Sequence, residues 1–461
     1  MKTFHSSRCL LAMISPRPLN MQKLRKTLTT FQLTLAVFLA VVVLISESIF
    51  GGFDSVRADE PKVPKPSIPN DFIRAGGTKF MDGNGKEFII KGMGFYHGNP
   101  ASITQITHFN HDTYKTLSNI GFNTVRFYFG ANTFENIFDG TVTYKEDAFD
   151  WINRHIVWAK SNNMKIILNM HHSPGATTIG APGLFSSMEY QNRFVALWKE
   201  IARRYADEPT ILGYDIINEP HCGILPSDTP DNGFTGAFNL YQALMQRTID
   251  TIREVDKNHV IFVERLWISG VNERALGKPA NGYYNSLPND QRDTWQNVNG
   301  KYNFPDLIDY NYAYTYHVYE PGRYAHQYTG SGGSDDDGSG GPNRIYPSDT
   351  VAKWNENDPK TGKPWTMNKD FLEYSYTIPL TYIREVKGVP AFVGELGIHV
   401  SNFENNASGL NKGGKQWILD LMEILDKYGL SFSYHCYRID EFHPGFNKKF
   451  ESALRKAFGT E

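Results

Sequence analysis

Residues 211–220 read Ile-Leu-Gly-Tyr-Asp-Ile-Ile-Asn-Glu-Pro. The first seven form a mainly apolar run, and an amide, a carboxylic acid and a proline follow at once. A short apolar run that stops at a turn-forming residue predicts a strand buried on both faces of a sheet. Because similar runs recur along the chain, their spacing decides the fold.

Eight predicted strands alternate with segments of helical periodicity. The strands are residues 89–95, 124–128, 165–169, 211–217, 260–264, 312–317, 391–394 and 430–435. Between them apolar residues recur every three or four positions, as they do over residues 187–205. Strands that alternate with helices form a parallel sheet, and eight such units close into an α/β fold, the (β/α)8 or TIM barrel. An open doubly wound sheet is the alternative, but no Gly-x-Gly-x-x-Gly follows the first strand.

Two segments are predicted to add to the barrel. Residues 80–88 place an Asp-Gly-Asn-Gly turn between apolar flanks, which predicts an N-terminal β-hairpin. Residues 329–343 (TGSGGSDDDGSGGPN) are of low complexity and begin a long insertion that ends near residue 369. Since this insertion follows the sixth strand, we expect it on the face of the barrel where the strands end.

The N-terminal 58 residues are expected to lie outside the barrel. Residues 1–30 contain basic but no acidic residues, and an apolar run over 33–45 follows, which is typical of a secretory signal peptide. An uncleaved signal anchor is the alternative, and only then would a membrane hold the chain. Residues 59–70 contain four prolines and predict an extended linker, which leaves residues 71–461 for the barrel. We therefore expect a secreted or cell-envelope protein.

Composition excludes other classes of protein. Lys and Arg number 47 against 49 Asp and Glu, so the chain lacks the basic surplus of a nucleic-acid-binding protein. The histidines are not spaced as His-x-x-x-His, and no Cys-x-x-Cys is present, so no metal is expected. Cys222 follows the fourth strand and Cys436 the eighth, on opposite sides of a barrel, so we expect no disulfide between them. We expect a monomer.

Polar side chains stand where most of the predicted strands end. In chain order they are Arg126, Asn169, His171, His172, Asn218, Glu219, His317, Tyr319, Glu395 and His435. Because the C-terminal ends of barrel strands meet at one mouth, we expect these side chains to converge there. Any one of them could instead belong to a salt bridge, or be a core residue whose hydrogen bonds are all formed. Two carboxylic acids among Arg, His, Asn and Tyr favour an active site.

Six short motifs in this order resemble glycoside hydrolase family 5. They are residues 123–127 (NTVRF), 169–172 (NMHH), 215–220 (DIINEP), 317–319 (HVY), 324–327 (YAHQ) and 393–397 (VGELG). The resemblance covers residue 71 to the C-terminus and implies a retaining glycosidase that cleaves a β-linked polysaccharide. Residues 71–461 would then be the catalytic domain, and the reaction would need no metal or cofactor.

Two carboxylic acids carry the reaction that the resemblance implies. Glu219 would protonate the leaving oxygen and Glu395 would attack the anomeric carbon, in a double displacement. The remaining groups would keep Glu395 ionised, bind sugar hydroxyls or orient the carboxylates; they are Arg126, Tyr319, Asn218, His317 and, in preference to His172, His171.

One position departs from the pattern of the family. A Trp usually ends the eighth strand beneath the sugar, whereas this chain has His435 there. This departure affects the prediction of which sugar is bound more than the prediction of the reaction. We expect an endo-β-1,4-glucanase, a cellulase. A β-mannanase or another β-glycanase is the alternative of the same fold, and a carbohydrate-binding barrel without catalysis is the alternative of a different class.

Overall fold

The computed structural model describes residues 67–97, 109–176, 182–220, 233–266, 304–327, 344–405, 408–437 and 448–461. All of them belong to one compact unit, Pro64–Glu461. The predicted leader over residues 1–58, most of the predicted linker, residues 329–343 and Cys222 lie outside the described residues. Those predictions stay predictions, although Cys436 is described and is buried.

Eight parallel strands close into a barrel, which confirms the predicted fold. They are β1 (Lys91–Phe95), β2 (Thr124–Gly130), β3 (Lys165–His172), β4 (Ile211–Asp215), β5 (Val260–Glu264), β6 (Tyr312–His317), β7 (Ala391–Leu396) and β8 (Ser431–Tyr434). Each strand pairs with the next one along the chain, and β8 pairs with β1. The local apolar pattern therefore located every barrel strand, with errors only at the ends.

Helices surround the barrel. They span His111–Ile120, Ala131–Phe134, Glu146–Ser161, Pro182–Ser186, Met188–Tyr205, Gly233–Arg253, Gly322–Ala325, Lys369–Tyr382, Gly414–Lys427 and Lys448–Phe458, with a π-helical turn at Ile383–Lys387 and a 3₁₀ turn at Val400–Phe403. None of the described helices is long and apolar enough to cross a membrane.

The helix Met188–Tyr205 shows why the periodic segments are helical. Leu197 and Ile201, on the face of this helix that packs inward, are fully buried, and each such side chain stabilises the fold by about 1.5–3 kcal/mol. The indole of Trp198 on the same face donates a hydrogen bond to the carbonyl of Ile216 at 2.9 Å. This bond ties the helix to the segment that leaves β4.

Apolar side chains fill the barrel at the end where the strands begin. This cluster consists of Ile73, Phe80, Ile90, Ile167, Leu212, Val260, Phe262, Ala313 and Phe392. Phe262 of β5 and Phe392 of β7 have ring centres 5.2 Å apart, and Phe80 packs on Phe262 at 5.6 Å. The cluster plugs this end of the barrel, and the polar strand-end groups gather at the other.

Phe80 belongs to the predicted N-terminal hairpin. The turn of this hairpin is present, because the amide of Asp82 donates to the carbonyl of Lys86 at 2.8 Å. A two-stranded sheet of Arg74–Gly76 and Lys79–Met81 comes just before the turn. The sequence did not predict this sheet, since strands of three residues are too short to show a periodicity.

Two further hairpins interrupt the strand–helix alternation. Glu135–Phe138 pairs with Thr141–Tyr144 after β2, and Ser348–Asn357 pairs with Pro364–Met367 after β6. The second hairpin lies within the predicted insertion, which is therefore an antiparallel sheet in its later part. Both follow the C-terminal ends of barrel strands.

Candidate active site

The barrel brings eight of the ten strand-end residues named from the sequence into one cluster. The other two border this cluster at His171: Asn169 Oδ1 lies 3.1 Å from His171 Nδ1, and the imidazole centres of His172 and His171 are 5.3 Å apart. Arg126, His171, His317 and Glu395 lie on β2, β3, β6 and β7, and Asn218, Glu219, Tyr319 and His435 follow β4, β6 and β8. Contacts of 3.9 Å or less link all eight into one cluster. Their convergence follows from topology, because these positions end strands of one closed barrel.

Arg126 is fully buried and joins three parts of the site. Its Nε donates to Asp215 Oδ2 at 2.7 Å, its Nη1 to Glu395 Oε1 at 2.6 Å and its Nη2 to Asn218 Oδ1 at 3.0 Å. The guanidinium also lies over the ring of Tyr128, with Cζ 4.7 Å from the ring centre. Because its donors point in fixed directions, the guanidinium sets Glu395 in place relative to the segment after β4.

Glu395 is buried in a ring of donors and imidazoles. The hydroxyl of Tyr319 donates to Glu395 Oε2 at 2.7 Å. The nearby imidazole nitrogens are those of His171 at 3.9 Å, His317 at 3.6 Å and His435 at 3.6 Å. Burial raises the pKa of Glu395, but the electrostatic attraction of the basic groups around it, of which Arg126 is permanently charged, outweighs burial and holds this pKa below its usual value. Glu395 is therefore ionised at neutral pH.

Glu219 faces the open mouth of the barrel. Its side chain is 26% exposed, against 5% for Glu395. Its Oε1 lies 2.9 Å from His317 Nδ1. One carboxyl oxygen of Glu219 and one of Glu395 lie within 4.8 Å of each other. Retaining glycosidases hold their two carboxyls about 5–5.5 Å apart and inverting ones about 6.5–9.5 Å apart, so the spacing here matches the retaining class.

His317 lies between the two acids and is neutral. Burial lowers the pKa of His317 to about 3, although the charge of Glu395 acts in the opposite direction. The imidazole fits beside β7 because residue 394 is glycine: a Cβ there would lie 3.0 Å from His317 Nε2 and 2.5 Å from Thr315 Oγ1. A neutral imidazole has one donor and one acceptor nitrogen. His317 therefore forms a hydrogen bond with Glu219 but places no full positive charge beside it.

Tyr128 stacks between two histidines along one side of the site. Its ring centre is 4.5 Å from that of His171 and 5.8 Å from that of His435, and both ring pairs are nearly parallel. Its hydroxyl lies 3.2 Å from His435 Nδ1. His435 occupies the position where the resemblance led us to note a missing Trp. The imidazole of His435, which is 12% exposed, therefore lines the site at this position.

Sequence reasoning missed three residues of the site: Tyr128, Asp215 and Glu264. Burial raises the pKa of Asp215 to about 6, although the charge of Arg126 acts against it. Glu264 accepts a hydrogen bond from the backbone amide of Glu219 at 2.7 Å. Glu264 ends β5, so the strand-end rule could have found it. Tyr128 is the last residue of the predicted second strand, so the same rule could have found it, although it stands between two phenylalanines.

Glu219, His317 and Glu395 offer three ligand atoms within 4.8 Å of one another, a spacing that a metal ion could use. Arg126 already places a permanent positive charge against Glu395 Oε1. A second cation would meet its repulsion in a buried setting, where charges interact strongly. The group therefore fits acid–base and nucleophilic chemistry better than metal binding.

Comparison with known sequences identifies the family. Residues 81–441 match the family described as Cellulase (glycosyl hydrolase family 5). The chain belongs to glycoside hydrolase family 5. Membership confirms the resemblance seen in the motifs, and it makes the chain a glycosidase.

The relatives named below cover between 46% and 80% of this family 5 enzyme. Endoglucanase C of Acetivibrio thermocellus is 26% identical over 340 residues, which are 71% of this chain and 83% of that protein. Cellodextrinase A of Ruminococcus flavefaciens is 28% identical over 216 residues, 46% of this chain and 52% of that protein. The crystal structure of endoglucanase Cel5A from Thermotoga maritima has a TM-score of 0.52 at 20% identity and covers 80% of this chain and 96% of that one. Family and fold together support a retaining β-glycanase.

Replacing Arg126 by methionine is expected to destabilise the family 5 enzyme and to move its pH dependence. Asp215 and Glu395 would lose the cation that they share, and breaking a buried charge pair in this way costs about 3–5 kcal/mol of unfolding free energy. Loss of the charge also raises the pKa of Glu395. The acidic limb of kcat/KM then moves to higher pH.

The pH dependence of the unfolding free energy follows from the linkage between folding and protonation of Glu395. A carboxyl whose pKa is low in the folded state stabilises the fold above its unfolded pKa, and this contribution disappears as the pH falls through the folded value. The wild type should therefore keep the contribution of Glu395 at neutral pH. Urea unfolding and pH–rate profiles measure both effects, with Arg203→Met, at a 57% exposed side chain, as the surface control. Equal behaviour of the two variants would contradict the role of Arg126.

Proposed function

We propose that this enzyme is an endo-β-1,4-glucanase that works by double displacement, with Glu395 as nucleophile and Glu219 as acid/base. The observation that carries the proposal is the asymmetry of the two acids. Glu395 is buried and held as an anion by Arg126 and Tyr319, whereas Glu219 is partly exposed beside a neutral His317. Two carboxyls in such different surroundings suit one nucleophile and one proton donor.

In the first step Glu219 gives its proton to the glycosidic oxygen while the bond from that oxygen to the anomeric carbon breaks. A carboxylate oxygen of Glu395 forms a bond to the same carbon, so a covalent glycosyl ester replaces the charge of Glu395 and Glu219 becomes ionised. Arg126 and Tyr319 keep the attacking oxygen in place. Asn218, whose Oδ1 accepts from Arg126, would turn its amide NH₂ to the 2-hydroxyl of the sugar.

In the second step Glu219 takes a proton from a water molecule whose oxygen attacks the anomeric carbon. The ester bond to Glu395 breaks, Glu395 regains its charge, and Glu219 is protonated for the next cycle. Two inversions at one carbon leave the configuration unchanged. His171 and His435 lie beside the ester position and would bind sugar hydroxyls there, while His317 would orient the carboxyl of Glu219.

The names of the relatives support a β-1,4-glucan as substrate. Endoglucanase C and Cellodextrinase A are both named for glucan substrates, and the family is described as cellulase. We infer further that residues 1–58 direct export, that residues 59–70 are a spacer and that residues 71–461 act as a monomer outside the cell or in its envelope. The basic and then apolar pattern of the leader supports export.

The proposal is tested by measuring the release of reducing ends by a protein of residues 59–461. The substrates are carboxymethyl-cellulose, glucomannan, galactomannan and laminarin. We expect cleavage of carboxymethyl-cellulose, with an early fall in viscosity because cuts inside the polymer shorten it fastest. Release from galactomannan alone would replace the glucanase proposal by a β-mannanase. Polymer binding without any released ends would overturn catalysis in favour of a carbohydrate-binding barrel.

A further inference from the structure

Glu264 is a fully buried acid that touches both Glu219 and His317. It ends β5, and its Oε2 accepts a hydrogen bond from the backbone amide of Glu219 at 2.7 Å. The same oxygen lies 3.4 Å from His317 Nε2, while His317 Nδ1 lies 2.9 Å from the carboxyl of Glu219. Glu264, His317 and Glu219 thus form a closed chain of contacts.

The backbone of Glu219 needs such a partner. Its φ is 40°, in the left-handed region that side chains other than glycine seldom adopt. Strained residues of this kind persist only where their surroundings hold them, and they concentrate in functional sites. The bond from the Glu219 amide to Glu264 is a direct restraint on this conformation, because it fixes the peptide that leads into Glu219.

The charge of Glu264 also selects the proton position on His317. A separation of 3.4 Å is long for a hydrogen bond but short enough for a strong electrostatic effect in a buried site. In a neutral imidazole only one nitrogen carries a proton. The carboxylate of Glu264 favours that proton on Nε2. Glu395 also lies 3.6 Å from Nδ1, but Arg126 pairs with Glu395 at 2.6 Å and offsets its charge. The lone pair of Nδ1 then faces Glu219. Nδ1 can then accept a hydrogen bond from Glu219 only when Glu219 is protonated.

We propose that Glu264 is a positioning residue that fixes the backbone of Glu219 and the tautomer of His317, so that His317 accepts a hydrogen bond from the protonated carboxyl of Glu219. The inference rests on the proposed role of Glu219 as proton donor. The titratable and charged groups that face His317 are Glu219, Glu264, Glu395, Arg126, Arg265 and His435.

The test compares Glu264→Gln with wild type on two aryl β-cellobiosides, or on the mannobiosides if only mannan is cleaved. Phenyl is a poor leaving group that needs a proton, whereas 2,4-dinitrophenyl leaves without one. We expect kcat/KM for the phenyl glycoside to fall about 10- to 100-fold, as for a weakened general acid. For the dinitrophenyl glycoside we expect a change of less than about threefold. The alkaline limb of the phenyl profile should move to lower pH.

Glu135→Gln is the matched control, because Glu135 is also a buried acid and is paired with Arg193 at 2.6 Å away from the cluster. It should change thermal stability without changing the ratio of the two kcat/KM values. If Glu264→Gln loses kcat/KM equally on both glycosides and the alkaline limb of the pH profile does not move, Glu264 has only a structural role. That result would overturn the inference. If Glu219→Ala itself shows no dependence on the leaving group, the proposed function fails instead.

A measurement on the wild type covers the case in which Glu264→Gln does not fold. The imidazole ¹⁵N shifts of His317, assigned by comparison with His317→Asn, report which nitrogen carries the proton. We expect a neutral ring protonated on Nε2 near pH 6. A proton on Nδ1, or on both nitrogens, would overturn the inference.

Discussion

Glu395→Gln is expected to lower kcat on every substrate of the enzyme by about 10⁴-fold or more, the scale found when a catalytic nucleophile is removed. Glutamine keeps the shape of the side chain: its amide oxygen can accept from Arg126 and its NH₂ group can donate to the hydroxyl oxygen of Tyr319, so the site should stay assembled. An amide oxygen, however, is too weak a nucleophile to form the glycosyl ester. Steady-state rates and a circular dichroism spectrum would show lost chemistry in a folded protein.

Two further measurements make this expectation specific. Glu189→Gln, at a helix position with a side chain 72% exposed, should retain wild-type activity. A 2-fluoro cellobioside with a dinitrophenyl leaving group should label the wild type, and mass spectrometry should find the sugar on the peptide that contains Glu395. A label on another acid, or near-normal activity of Glu395→Gln, would disprove the assignment.

Glu219→Ala is expected to give the second largest loss, and one that depends on the substrate. A phenyl β-cellobioside needs a proton on its leaving oxygen, so its kcat/KM should fall by about 10²- to 10⁴-fold. A dinitrophenyl glycoside should lose far less at this stage, because its leaving group is stable as an anion. Its kcat should still fall, since no base remains to activate water in the second step.

Azide separates these two steps. It attacks the glycosyl-enzyme without giving up a proton, so it should restore kcat on the dinitrophenyl glycoside and yield a β-glycosyl azide. The space left by the deleted side chain lies at the partly exposed side of the pair, where an anion can enter. A variant that loses both substrates equally and does not respond to azide would remove Glu219 from the role of acid/base.

The fold could be predicted because its signals are local. Each barrel strand is a short apolar run, and a closed barrel then requires the strand ends to meet, which is how Glu219 and Glu395 were paired although they lie 176 positions apart in the sequence. The same rule placed Arg126, His317 and His435 in one cluster. This rule uses only the topology of the barrel, so the cluster could be predicted without side-chain geometry.

Other features depend on geometry that no local pattern carries. The left-handed backbone of Glu219 follows from contacts made by Glu264, a residue 45 positions away. The sandwich of Tyr128 between His171 and His435 depends on rotamers chosen by packing. The hairpin Glu135–Phe138 with Thr141–Tyr144 is too short to show a period, although its Asp-Gly turn is a hairpin signal that could have been read.

The apolar plug at the base of the barrel has a consequence for the order of events. Among the described residues it closes the lower end, so a polymer cannot thread through the barrel and has to lie across the mouth. Water must then reach the ester from the same side by which the cleaved chain departs. Other sugars crowd that entrance when substrate is concentrated, and their hydroxyls compete with water for the glycosyl group. We therefore expect chain transfer, the joining of two sugars by the enzyme that separates them, to increase with substrate concentration.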